Sequence, residues 1–175
     1  MSATDSPCKI TGTFHPRFQE FADRLLEPGA PNLPKGIRSL GIRPDLWLKE
    51  ISNGHVTYVW PNEGERDISE GRAFGGWVAG FSDHIVSICM FSALKDGEHF
   101  VTQDLQIKLF RPVMHGRVTI KAEVKNRSRT TGYVEAEWRN EDGKLAAKVL
   151  AWKAVRTEAD LNPPRIALAG LKGPR

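Results

Sequence analysis

One long apolar segment constrains this chain more than any other feature. From Phe74 to Leu94 the residues are almost continuously hydrophobic, with Trp77, Val78, Phe81, Ile85, Val86, Ile88, Cys89, Met90 and Phe91. Such a segment reads as a helix surrounded by protein rather than one lying on a surface. Within it Gly76, Gly80, Asp83 and Ser87 recur at spacings of four, three and four. They therefore share one helical face as a small, polar stripe. A carboxylate inside such a helix reads as a buried acid, and the stripe reads as the wall of a site.

A protein built on this helix has room for one domain in 175 residues, 40% of them apolar and 26% charged. Ser82, Asp83 and His84 interrupt the segment before it reaches the ~18 uninterrupted apolar residues of a membrane span. The first residues, Met-Ser-Ala-Thr-Asp-Ser-Pro, lack a basic region followed by an apolar one, so a cytoplasmic location is expected. Cys8 and Cys89 form neither a disulfide framework nor a metal-binding spacing, and Cys89 reads as a small core residue. A formal charge of +4 with no basic helix argues against a nucleic-acid partner. It suits an anionic small ligand.

The rest of the chain supplies a short helix and a sheet. Phe14, Phe18, Phe21 and Leu25 repeat at helical spacing, with Pro16 fit for a first turn and Pro28-Gly29 for a stop. Residues 28 to 44 are rich in Pro and Gly and are expected to run without regular structure. Residues 46–52 and 56–60 flank Asn53-Gly54, the signature of a type I′ hairpin. Beyond the helix, residues 100–113 alternate, with Leu105, Ile107 and Leu109 on one face and Asp104, Gln106 and Lys108 on the other. Residues 118–124, 133–139 and 145–155 add three more strands, separated by turns at Thr131-Gly132 and Asp142-Gly143. A strongly curved antiparallel sheet wrapped around the apolar helix would bury both partners. The expected division is an extension over residues 1–44, a core domain over 45–156, and a poorly ordered tail over 157–175.

This order of elements, an α+β arrangement, resembles the hotdog fold, and the motifs resemble the PaaI-like acyl-CoA thioesterases of phenylacetate degradation. That family shows His-Gly-Gly at the helix start, an Asp nine positions after the His, a strand ending in Arg-Pro-x-x-x-Gly, and an Asp-Gly-Lys-x-x-Ala turn. The counterparts here are Phe74-Gly75-Gly76, Asp83, Arg111-Pro112 through Gly116, and Asp142-Gly143-Lys144 through Ala147. The match covers roughly residues 45 to 156. Two positions depart from it: the motif His is Phe74, and an Asn or Gln six residues earlier is Ile68. Asp67, Ser69 and Glu70 are neighbours able to substitute for that amide.

The resemblance implies hydrolysis of an acyl-CoA thioester with no further cofactor. Gly75 and Gly76 would offer backbone N–H groups to the oxyanion at a helix start. Asp83 would be the base or nucleophile and Ser87 a helper that orients water. His84 points about 100° away around the helix and reads as structural. Arg129 and Thr130, between two strands, are implied at the CoA phosphates, where Arg129 offers a fork geometry; the alternative is a solvated hairpin end. Arg111 is a weaker candidate. Phe74 and Trp77 are expected to contact substrate, although Trp77, Phe81 and Phe91 read equally as core. Open sheet edges predict a homodimer with a sheet continuous across two subunits, or a dimer of dimers, and the resemblance implies a site at that interface with residues from both chains. The rival readings are a non-catalytic acyl-CoA-binding module and a hotdog hydratase or dehydratase.

Overall fold

In the computed structural model, which describes residues 7–161, one helix is enclosed by a curled sheet. The chain begins with β1 (Lys9–Ile10), α1 (Pro16–Leu26), α2 (Lys35–Ser39) and α3 (Pro44–Trp47). Strands β2 (Leu48–Ser52) and β3 (His55–Asn62) and the small hairpin β4 (Asp67–Ser69) and β5 (Arg72–Ala73) lead into α4 (Gly75–Ser92). After α4 come β6 (Glu98–Leu109), β7 (Gly116–Arg127), β8 (Thr131–Arg139), β9 (Leu145–Thr157) and α5 (Glu158–Leu161).

Seven strands form one sheet in the order β1-β2-β3-β7-β8-β9-β6. Every pairing is antiparallel except β1 with β2. Strands β2, β3, β6, β7, β8 and β9 all touch α4. Six flat strands at ~4.8 Å spacing span far more than a helix ~10 Å wide, so contact with all six requires the sheet to curl. This is the expected hotdog arrangement. Its core sets Tyr58, Trp60 and Trp138 of the sheet against Trp77, Phe81 and Ile85 of α4, all buried. The ring of Phe81 meets both Tyr58 and Trp138 edge-on, at centroid distances of 5.4 Å.

Four expectations need correction. Residues 28–44 do contain regular structure: Pro34 precedes α2 and Pro44 occupies the first turn of α3, a position where the missing N–H of proline costs nothing. At the Asn53-Gly54 turn only Gly54 has a positive φ, +73°, so the turn is not type I′, which needs two. The hydroxyl of Ser92, at the end of α4, accepts from the Gly54 N–H at 3.0 Å and thereby fixes the turn from outside. Helix α4 is not enclosed on all sides, because Gly76, Ala79, Gly80, Asp83 and Ser87 are less buried than its other faces. Finally, β9 runs on to Thr157 and α5 follows it. The tail reading beyond residue 161, and the reading of residues 1–6, lie outside the described residues.

Candidate active site

Asp83 sits midway along α4 with its side chain 48% exposed, so the acid expected to be buried is half open. It is held on one oxygen. Oδ1 accepts from the Thr102 hydroxyl at 3.2 Å and faces the Lys153 ammonium at 3.4 Å. Ser87, one turn further along the same face, accepts from Lys153 Nζ at 3.0 Å, and Thr102 Oγ1 accepts from it at 2.7 Å. The three donors of the ammonium thus meet three oxygens, although the Lys153 side chain is 0% exposed. Burial pushes the Lys153 pKa below the ordinary lysine value, and the neighbouring Asp83 charge works against that shift.

Neither Lys153 nor Thr102 figures in the sequence reading. Lys153 occupies an inward position in the series Ala147, Val149, Ala151, Lys153, Val155 on β9, and a charge in such a series is a visible signal. Thr102 was hidden by a β-bulge. The β6–β9 register slips between Thr102 and Asp104, so the alternation that turns Leu105, Ile107 and Leu109 inward changes phase and turns Thr102 inward opposite Lys153.

The expected oxyanion donors lie at the other end of the helix. Gly75 and Gly76 open α4 behind Phe74, which gives no side-chain cap. Among the described residues neither glycine N–H donates a hydrogen bond. The Phe74 ring lies over Gly76 so closely that a Cβ there would come within 2.6 Å of it. A cavity of about 290 Å³ adjoins this end, with Gly75, Leu109 and Arg111 in its wall. From Gly75 to Asp83 is eight residues, or ~12 Å along the axis. Within one chain the two groups therefore cannot act on one carbonyl.

The other candidates separate in the same way. Trp77, expected to contact substrate, turns into the core: it stacks on Trp60 at 4.4 Å and donates its Nε1–H to the Leu40 carbonyl at 2.7 Å. Phe81 is likewise core, whereas Phe91 lines an apolar cavity of about 230 Å³ beside Asp83 and Ser87. His84 is buried against the Tyr58 hydroxyl at 3.1 Å, and burial pushes its imidazole down to about 4, which makes it a neutral structural residue. Ile68 is exposed, and the Asp67 carboxylate is engaged by His115 at 2.7 Å and by the Gly71 N–H at 3.1 Å. Arg129 and Thr130 are exposed on the β7–β8 turn, where the Thr130 carbonyl accepts from the Val155 N–H, two residues past Lys153. Arg111 donates to the Leu145 carbonyl at 2.9 Å. A larger depression, about 590 Å³, lies on the outer face of the sheet among Glu50, Lys121, Glu123 and Lys125, away from α4. No cluster able to hold a metal ion occurs among the described residues. No helix there is long and apolar enough to cross a membrane.

Comparison with known proteins agrees with this architecture. The thioesterase superfamily model matches residues 70–147, from the β4–β5 hairpin through α4 into β9. "Putative esterase SSO2140" of Saccharolobus solfataricus is 36% identical over 115 residues, which cover 65% of this chain and 81% of that protein. The chain belongs to the thioesterase superfamily. Two solved structures share its fold. A phenylacetic acid degradation-related protein of Ralstonia eutropha JMP134 is 22% identical, with TM-score 0.60 over 75% of this chain and 97% of that one. A hypothetical thioesterase of Streptococcus pneumoniae TIGR4, crystallised with coenzyme A, is 22% identical, with TM-score 0.57 over 63% of this chain and 84% of that one.

Proposed function

We propose that the protein is an acyl-CoA thioesterase that works as a homodimer, with each site built from two chains. The observation that carries this reading is the half-open Asp83 carboxylate, fixed by Thr102 and Lys153 beside the sheet edge β6. Among the described residues strand β6 pairs only with β9, and it is exposed at residues 101–104, 106, 108 and 109. Such an edge is completed by a second copy of itself. In antiparallel pairing about a two-fold axis through the regular stretch 104–109, Thr102 falls opposite residues 109–111 of the partner. Those residues wall the cavity at Gly75. The Asp83 of one chain thereby meets the helix start of the other, which resolves the ~12 Å gap within a single chain.

In this site the thioester carbonyl oxygen points at the free N–H groups of Gly75 and Gly76, where the helix dipole favours developing negative charge. Asp83 takes a proton from water as the water oxygen bonds to the carbonyl carbon, or attacks that carbon itself, in which case water hydrolyses the resulting acyl-Asp83 anhydride after CoA has left. The C–S bond then breaks and CoA leaves as the thiolate. Ser87 accepts from Lys153 and so keeps its own hydroxyl proton for the attacking water. The CoA phosphates are assigned to Arg129 and Thr130 or to Arg111, and the coenzyme A bound by the pneumococcal relative supports CoA as the carrier. Phe74 takes the place of the family His as an apolar cover over the oxyanion donors.

The test is release of free CoA from acetyl-, octanoyl-, palmitoyl- and phenylacetyl-CoA by wild type and Asp83→Asn. Loss of turnover by a factor of about 10² to 10⁴ in the variant is expected. Undiminished turnover would remove Asp83 from the mechanism. CoA binding without hydrolysis by wild type would make the protein a binding module.

A further inference from the structure

The apolar cavity of about 230 Å³ beside Asp83 is closed on one side by the N-terminal extension. Phe21 of α1, Leu33, Pro34, and Ile37 of α2 face Ser87 and Phe91 of α4 across it. This wall is fastened at both ends. Phe21 packs on Phe91 at a centroid distance of 5.3 Å, next to Phe18, which meets the same ring edge-on at 5.3 Å. At the far end Leu40 lies on Gly80, where a Cβ would come within 3.1 Å of it, and its carbonyl accepts the Trp77 indole N–H. The glycine in the polar stripe is thus the seat of the extension. A side chain there would lift the wall.

We infer that the N-terminal extension is the acyl-group selector of this enzyme, and that it restricts the substrate to compact acyl groups. The inference rests on the proposed thioesterase reading, because it takes Asp83 and Ser87, which border the cavity, as the place of the thioester carbonyl. Apart from these and the neutral His84, every group around the cavity is apolar, so it is suited to hydrocarbon and not to a sugar or a charged acyl group. Its volume sets how much of the acyl group it can enclose. A methylene takes up about the ~30 Å³ of a water molecule in the liquid, so the cavity holds roughly eight carbon atoms. A sixteen-carbon chain is about twice what it can enclose; the cavity is open on its other side, and on this side the wall yields only by breaking the Leu40 and Phe21 contacts. The rings of Phe21, Phe91 and Phe100 offer edge-to-face contacts to an aryl group of that size.

The experiment is kcat/KM for hexanoyl-, octanoyl-, dodecanoyl- and palmitoyl-CoA with wild type, Ile37→Ala, Leu33→Ala and Ile37→Trp. Circular dichroism and thermal midpoints would establish that each variant is folded. Wild type should lose at least about tenfold between octanoyl and dodecanoyl. The alanine variants should carry the fall-off to longer chains, and the tryptophan variant should bring it to hexanoyl. A profile unchanged in folded variants, or palmitoyl-CoA hydrolysed as readily as octanoyl-CoA, would overturn the selector. Wild type that hydrolyses no thioester would sink the thioesterase reading alone. Binding of octyl- and hexadecyl-CoA thioethers then tests the cavity, and equal affinities would end the inference.

Discussion

Lys153 is a cation placed where burial alone would exclude one, and it persists because Asp83, Ser87 and Thr102 satisfy all three of its donors. Replacing it removes the cation that holds the Asp83 carboxylate and the Ser87 hydroxyl in place together. In Lys153→Met, a change that keeps the length of the stem, kcat for thioester hydrolysis should fall by about tenfold or more with KM little changed. A residue that merely filled space would leave kcat unchanged in the folded variant. The sequence singles out Asp83, Ser87 and the two glycines as candidates because each is anomalous in an apolar helix. Lys153 is not among them, although β9 shows the same kind of anomaly, a lone charge in an inward apolar series.

At the scale of elements, α4 is a structural member on one side and a site wall on the other. Its structural side buries His84 against Tyr58. Burial holds the imidazole at about 4 in the folded protein against 6.5 for the free group. Above pH 6.5 both states are neutral and the stability is complete. As pH falls, the unfolded chain takes up a proton that the folded chain refuses. Stability is therefore lost from about 6.5 down to about 4, by on the order of 3 kcal/mol. Urea denaturation across this range should show that slope in wild type and a flatter one in His84→Gln. Strand β6 is the counterpart element. Its bulge at residue 103 turns Thr102 toward Asp83, and no pattern in the residues announces a bulge, because alternation on either side of it is locally normal.

The whole molecule decides which groups can cooperate. Asp83 and Gly75 are ~12 Å apart on one helix, and the proposed pairing of β6 edges unites them across two chains. Gly75 is the first residue of α4, and Phe74 before it has φ −63° and ψ 123°, so proline fits at position 75 while deleting the N–H. Gly75→Pro should therefore fold and lose about 10² to 10³ in kcat. Refolding it with an equal amount of Asp83→Asn gives a sharper result. Half of the dimers are then mixed, each with one site in which both groups are native, so about a quarter of wild-type activity should return. A site contained in one chain would return none.

Hydrophobic pattern, turn residues and the motifs that resemble the hotdog thioesterases were sufficient for the fold class and for the succession of strands before and after α4, because helix and strand periods are ones any chain must obey to bury its apolar residues. What the sequence could not hold is everything set by contacts across the chain. The half-exposure of Asp83, the phase change that presents Thr102, and the departure of Trp77 into the core all follow from which strand lies beside which. The extension shows the same limit. Its prolines and glycines read as an irregular tether, whereas Leu40 seated on Gly80 and Phe21 on Phe91 make it one wall of a cavity, through contacts between residues forty or more positions apart.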